Sequence, residues 1–312
     1  MTVHADYRNL PKSAHGYSVA LGNFDGLHMG HRAVIDAARI DGAPLGVATF
    51  EPPPRAYFRP NDPPFRLYRP ARRNAQLIAL GAETVFELPF TADMASMTDE
   101  DFCRKVLAEG LGVKHVAVGF DFRFGRGRMG DAARLSSLGR AFGFEVSIVD
   151  KVDADGAAKV SSTAIREALI AGDPQRAAAM LGHPWIADGH VEHGEARGRT
   201  INFPTANIHL GPLIHPRHGV YAVRLRIDRQ GEWLPGVANF GRTPTTGVRD
   251  PLLETFIFDF DRDIYGHYVE VALHHFLRPE LHFPSLEEMI EQMKADTAEA
   301  KTLLARDQDP AP

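Results

Sequence analysis

Residues 19–31, Val-Ala-Leu-Gly-Asn-Phe-Asp-Gly-Leu-His-Met-Gly-His, constrain the fold more than any other stretch. An apolar strand from Ser18 to Leu21 feeds a glycine-rich turn and then a helix whose first turn carries His28 and His31. Histidines three residues apart share a helix face, and the free amides and positive dipole end of a helix N-terminus favour a bound anion. Gly22 and Gly26 allow a sharp turn and close approach to a ligand. The pattern reads as a nucleotide-phosphate site; the plain alternative is a strand-turn-helix connection with two surface histidines. A zinc reading is not supported, because His-Glu-x-x-His spacing is absent.

The rest of the first half repeats this grammar. Candidate strands at 18–21, 45–50, 84–88, 115–118 and 145–149 alternate with helical patterns at 32–39, 74–80, 99–109, 132–142 and 163–171. Such alternation predicts a parallel sheet covered on both faces, with ligands beyond the carboxyl ends of the strands. Between Glu51 and Arg73 seven prolines exclude a helix or central strand, leaving either a substrate-covering loop or an irregular connection. After residue 183 short strands dominate, at 189–193, 219–227, 236–239, 252–260 and 268–273. They predict a small antiparallel barrel. A final helix follows a Ser285/Glu288 capping box, with Leu286, Met289, Ile290 and Met293 as its apolar stripe.

Composition narrows the function classes. A net charge of −5 gives no basis for nucleic-acid binding, and no apolar run is long enough to span a membrane. The N-terminus lacks the apolar core of a signal peptide. One cysteine, Cys103, fits a reducing cytoplasm and is expected to be packed and inert.

Further stretches carry chemistry. Gly125, Gly127 and Gly130 spell G-x-G-x-x-G, with Glu145 downstream, which would suggest an NAD-dependent oxidoreductase. The match sits deep in the domain behind Asp121-Phe122-Arg123, so a mobile Arg- and Gly-rich loop is the better reading. Ser161-Ser162-Thr163, followed by Arg166, either caps a helix or binds a triphosphate. Residues 194–203 form a basic loop, after which Thr205 and Asn207 alternate on one side of an extended segment, where their oxygens could hold Mg²⁺ with ATP phosphates. Glu254 shares a period-two face with Leu252, Phe256, Phe258 and Phe260; desolvation there would raise its pKa and suit a general base, unless it lies at a sheet rim. Asp259, Asp261, Asp263 and Glu270 match calcium-loop spacing, but Ile264 replaces the required glycine, and a hairpin through Tyr265-Gly266 reads better.

Taken in order, these motifs resemble the bifunctional bacterial riboflavin kinase/FAD synthetase family over nearly the whole chain. Gly22–His31, Gly119–Gly125 and Ser161–Arg166 are similar to the adenylyltransferase motifs; Phe203–Asn207, Glu254 and Tyr265-Gly266 are similar to the kinase module. The resemblance implies a Rossmann-like nucleotidyltransferase domain at 1–183 and a β-barrel kinase domain with a C-terminal helix at 184–312. It implies ATP binding by Gly22, Asn23, Phe24, Asp25, Gly30, Asp121, Ser162, Thr163, Gly194 and Arg199. Catalytic roles fall to Glu254, His28, His31 and Arg166, flavin contacts to Pro52, Pro54 and Phe122, and Mg²⁺ to Thr205 and Asn207. Riboflavin, FMN and ATP are the expected small-molecule partners of a cytoplasmic chain, monomeric by default. Two departures stand out: Phe50-Glu51-Pro52-Pro53-Pro54 where the family usually has Phe-x-Pro-His-Pro, and Asn202 for a loop glycine. The first leaves a narrower alternative, a riboflavin kinase whose first domain only binds flavin or nucleotide.

Overall fold

The computed structural model describes residues 2–151, 160–192, 205–241 and 251–307. They cluster into two compact units, Met1–Pro63 with Pro70–Val160, and Pro64–Arg69 with Ser161–Pro312.

Among the described residues the first unit holds eight strands: β1 (Thr2–His4), β2 (Ser18–Leu21), β3 (Leu45–Glu51), β4 (Thr84–Pro89), β5 (His115–Gly119), β6 (Arg123–Phe124), β7 (Gly130–Asp131) and β8 (Glu145–Val149). Six of them form one sheet in the order β1-β4-β3-β2-β5-β8, while β6 and β7 pair separately as a hairpin. The central strands are almost wholly buried, as helices on both faces require. All five expected strands are present. The edge strand β1 was not expected, since three residues are too short to show a period.

Strand order reverses beside β2: the chain runs outward through β3 and β4, then resumes on the other side at β5. A ligand crevice opens at such a reversal, beyond the carboxyl ends of β2 and β5. Below it, Val19, Leu21, Val116 and Val118 pack with Phe102, Val106 and Leu107 of the π-wound segment Phe102–Gly110. Cys103 is fully buried in that packing, and burial pushes its thiol up to about 12, so it is inert as expected.

The proline-rich stretch corrects the sequence reading. It contains a helix, Pro54–Phe58, and leads into another, Pro70–Ala79. Each begins at a proline, where the missing N–H has no intrahelical partner to lose and φ is already helical. Between them Pro64–Arg69 belongs to the second unit, so the stretch is not merely an irregular connection.

The second unit is an antiparallel sheet of β9 (Trp185–His190), β10 (Thr205–His209), β11 (Gly219–Ile227), β12 (Gln230–Gly241), β13 (Leu252–Ile257) and β14 (Tyr268–Arg278). Their order is β10-β13-β12-β11-β14-β9, and the Glu192 N–H donates to the Asn207 carbonyl at 2.9 Å, joining the two edges. The sheet thus curls into a barrel. Strands β13 and β14 are not neighbours, which overturns the hairpin expected at Tyr265-Gly266; instead Gly266 and His267 bond to Val191. The tight hairpin lies at Asp228-Arg229, both with positive φ (51° and 59°), joining β11 to β12.

Helices Ser162–Ala171 and Pro174–Leu181 belong to this unit, as does the segment Pro64–Arg69. The Trp185 indole donates to the Leu67 carbonyl (2.9 Å), and Arg69 donates to the Asp188 carbonyl (2.9 Å) while pairing with its buried carboxylate (3.4 Å). Glu270, the cross-strand partner of Asp188, is also buried and pairs with Arg226 at 2.7 Å. Two buried carboxylates side by side persist only because each has an arginine. The C-terminal helix Leu286–Arg306 starts at the Ser285 cap as expected. It docks, however, through Ala300 and Leu304 against Ala222 and Phe258, whereas Leu286 of the expected stripe is 52% exposed.

One buried histidine in each unit makes stability pH-dependent. In the first unit the Ser18 hydroxyl donates to the Ala38 carbonyl, so it accepts from His115 Nδ1, and the Ser147 hydroxyl donates to Nε2 (2.8 Å each to the ring). Burial holds His115 below the ordinary 6.5, and burial also lowers His274 despite Asp307. The unfolded chain therefore binds more protons in this range, and stability falls as pH drops through and below 6.5. Melting curves between pH 7.5 and 5 should show a decline of a few degrees, flattened by His115→Gln. An acid limb unchanged in that variant would refute the assignment.

Candidate active sites

The segment after β2 forms a tight cradle at the carboxyl end of that strand. Gly26 takes φ 96°, and Phe24 and Leu27 are also left-handed at 50° and 45°. For residues with side chains that conformation is strained, and here it is held by burial of Phe24 and Leu27, exposed by 1% and 2%. Gly22 does not use a positive φ; it leaves room for the Phe24 ring, which would lie 3.3 Å from a β-carbon there. The Asn23 carbonyl accepts from the Thr49 hydroxyl at 3.2 Å, tying the loop to β3.

His28 is the N-cap of the helix Met29–Ala37, its Nδ1 accepting from the His31 amide at 3.3 Å. A neutral ring so engaged carries its proton on Nε2. The His31 ring stacks on it with centroids 3.7 Å apart. Gly30 is the residue that makes room: a β-carbon there would stand 3.2 Å from His28 Cε1 and Nδ1. Expected site residues Gly22, Asn23, Phe24, Asp25, His28, Gly30 and His31 thus share one loop and one helix start.

Asp121 and Phe122 follow β5, across the strand-order reversal from that loop. Gly125 and Gly127 lie in the turn between β6 and β7, and Gly130 begins β7. The next helix is capped by Asp131, whose carboxylate accepts from the Arg134 amide at 2.8 Å. A carboxylate already seated at that N-terminus opposes a pyrophosphate, which removes the dinucleotide reading.

Pro52 and Pro54 stand at the carboxyl end of β3, where a band of rings begins. Tyr57 and Phe58 contact Phe90; Phe90 contacts Phe50; Phe50, Phe102, Phe124 and Phe122 continue in succession, with centroids 5.1–6.2 Å apart. Phe58 is 63% exposed at one end. Tyr57, Phe58 and Phe90 were missed from sequence because no helix was expected after the prolines.

In the second unit the helix cap is Ser161, which accepts from the Ala164 amide at 3.2 Å; Ser162 and Thr163 are the first helical residues. Arg166 donates to the Phe65 carbonyl at 2.6 Å and lies 5.5 Å from the Phe65 ring centroid. Gly194, Arg199 and Asn202 lie outside the described residues.

Register assembles the barrel site. Asn207 on β10 is the direct partner of Glu254 on β13, and Asn239 on β12 flanks Glu254 from the other side. The Thr205 hydroxyl lies 3.5 Å from Asn207 Oδ1. Directly paired residues share a sheet face, so Thr205, Asn207, Glu254 and Asn239 form one polar group. This face is the outer one, since Leu253, Thr255 and Ile257 point into the barrel. Glu254 is therefore half-buried beside Leu252 and Phe256; the strand ends before Phe258 and Phe260, and the expectation of a wholly apolar face is corrected. A cavity of about 320 Å³ opens next to Thr205, lined by Val191, Ala206, Ile257, Phe260 and the turn through Tyr265. Its size suits part of a small organic ligand. Among the described residues no group of three or more His, Cys, Asp or Glu is placed to hold a metal ion.

Comparison with known proteins covers both units. The FAD synthetase family model matches residues 10–164 and the riboflavin kinase model residues 181–304. The bifunctional riboflavin kinase/FMN adenylyltransferase of Haemophilus influenzae is 39% identical, spanning 94% of this chain and 96% of that one. Its counterpart in Pseudomonas fluorescens is 40% identical over 95% and 96%. A solved structure described as a macrolide-efflux protein from Streptococcus pneumoniae is 34% identical, with a TM-score of 0.81 over 95% and 96% of the two chains. No described helix here is long and apolar enough to cross a membrane. Spanning both family models, the chain belongs to the bifunctional riboflavin kinase/FMN adenylyltransferase family.

Proposed function

We infer that this chain phosphorylates riboflavin to FMN on the outer face of the barrel and adenylylates FMN to FAD at the crevice of the parallel sheet. The observation that carries the reading is the register that sets Thr205, Asn207 and Glu254 on one face, in a chain whose relatives match across both units. We assign adenylyl transfer to 1–183 and kinase chemistry to 184–312 by motif. Packing divides the chain elsewhere, at Val160/Ser161.

In the kinase step the ribityl 5′-oxygen attacks the γ-phosphorus of ATP, the bond to ADP breaks, and Glu254 accepts the hydroxyl proton. A half-buried carboxylate on the outer face is reachable by substrate. Thr205 and Asn207 present two neutral oxygens on the same face, a donor set that fits Mg²⁺ shared with phosphates. Bound there, the ion would neutralise phosphate charge. In the adenylyl step an FMN phosphate oxygen attacks the α-phosphorus of a second ATP and pyrophosphate leaves. That nucleophile is already an anion, so the site needs donors and not a base. The His28 Nε2–H and the first amides of Met29–Ala37 supply them. Ser162, Thr163 and Arg166 take their phosphate roles from the family motif, as do Gly194 and Arg199. Flavin would lie along the aromatic band near Pro52, Pro54 and Phe122, with Phe58 as its exposed end.

The kinase-only alternative has nothing in its favour. Relatives named for both activities match 94% and 95% of the chain, and the Pro53 carbonyl accepts from the Ala56 amide at 2.9 Å. We propose cytoplasmic work as a monomer, the buried single cysteine being compatible with a reducing compartment.

Incubation with riboflavin, ATP and Mg²⁺ should yield FMN and then FAD. Glu254→Gln should lower FMN formation by about 10²- to 10⁴-fold while FAD formation from supplied FMN continues; near-normal FMN formation would end the base assignment. Gly30→Ala separates folding from chemistry, because alanine favours a helix by about 1 kcal/mol yet displaces His28. It should leave melting unchanged or higher and reduce FAD formation roughly tenfold or more; intact FAD formation would contradict the His28 role. Phe58→Ala should raise KM for FMN about tenfold in the adenylyl step, and an unchanged KM would remove Phe58 from the flavin site.

A further inference from the structure

Asn239 has no role in the reading above, yet its surroundings are unusual for a polar side chain. On the outer face of the barrel its four neighbours are set by register and alternation. Across the sheet they are Glu254 on β13 and Val220 on β11; along β12 they are Val237 and Gly241. Three of the four offer no polar group. Glu280 fills the space over Gly241 and pairs with His218 at 3.4 Å. The Asn239 amide itself makes no hydrogen bond to any described residue, although it is half-buried. Its polar atoms are not among the fully buried unpartnered ones, so the amide is open to a ligand that can bond it.

Resting on the kinase reading, we propose that Asn239 is a substrate-contacting residue whose amide holds a hydroxyl of the ribityl chain beside Glu254. The chemistry is complementary. An amide offers two N–H donors and an acceptor, a polyol offers hydroxyls that do both, and the row Asn207, Glu254, Asn239 runs perpendicular to the strands. Glu254 lies in the middle of that row, so a chain laid along it brings its terminal hydroxyl to the carboxylate while an internal hydroxyl meets Asn239. The residue thereby contributes to selection of a polyhydroxylated side chain over a plain alkyl alcohol. A site built to bond a hydroxyl discriminates against the analogue that lacks it.

The test compares two substrates, riboflavin and a flavin bearing a 5-hydroxypentyl chain at the same nitrogen, which keeps the reacting hydroxyl and omits the others. Asn239→Ala should lower kcat/KM for riboflavin roughly tenfold and leave that for the hydroxypentyl flavin unchanged. Asn239→Leu, close in volume, should behave alike and guards against a packing defect. FAD formation from supplied FMN, together with melting, should match the parent chain. Equal losses on both flavins, or no loss on either, would overturn the proposal. Glu254→Gln is measured in parallel: if it still makes FMN, the kinase face has been misassigned and the proposal falls with it. If it does not, a failure of Asn239 to discriminate counts against Asn239 alone.

Discussion

The pairing register of β13 between β10 and β12 is the constraint on which the barrel site depends. Side chains alternate faces along a strand, so a slip of one residue would send Glu254 into the barrel interior and bring Leu253 out. The register is fixed from inside, where Leu253, Thr255 and Ile257 are buried with Ala206, Ile208, Ala238 and Phe240. Reversing the faces would bury a carboxylate and expose a core. The hydrophobic contents of the barrel thus hold its outer chemistry in place.

The first unit solves the same problem with parallel strands. Ladders between β2, β3 and β5 bring two loops distant in sequence, 22–28 and 119–122, to neighbouring strand ends. Buried anchors on the loop, Phe24 and Leu27, keep a strained backbone from relaxing. His28 then serves two purposes in the proposed reaction, capping the helix through Nδ1 and donating from the other ring nitrogen. Structural and chemical roles coincide in one ring.

Much of this was legible in the sequence. The four central strands and the edge strand β8 followed from short apolar runs, the C-terminal helix start from Ser285 and Glu288, and the cradle from its glycines and histidines. Other features left no trace in local pattern. Helix Pro54–Phe58 was hidden because proline reads as a breaker unless its position in the helix is known. The docking stripe of the last helix was placed too early, at Leu286 to Met293, because periodicity marks an apolar face without saying which turns are covered. The supposed hairpin at Tyr265-Gly266 showed a real turn but not which strands it would join.

Local chemistry in the sequence by itself determined the fold class, the family, and the residue types at each site, because strand and helix periods, capping pairs and short motifs are properties of neighbours in the chain. Tertiary structure alone decided which residues meet. Asn207, Asn239 and Glu254 come together through backbone hydrogen bonds between strands far apart in sequence. Residues 64–69 join the barrel's unit because Arg69 offsets a carboxylate, Asp188, buried more than a hundred residues later. Register and burial are collective: each follows from how the whole sheet excludes water, and no window of sequence contains that information.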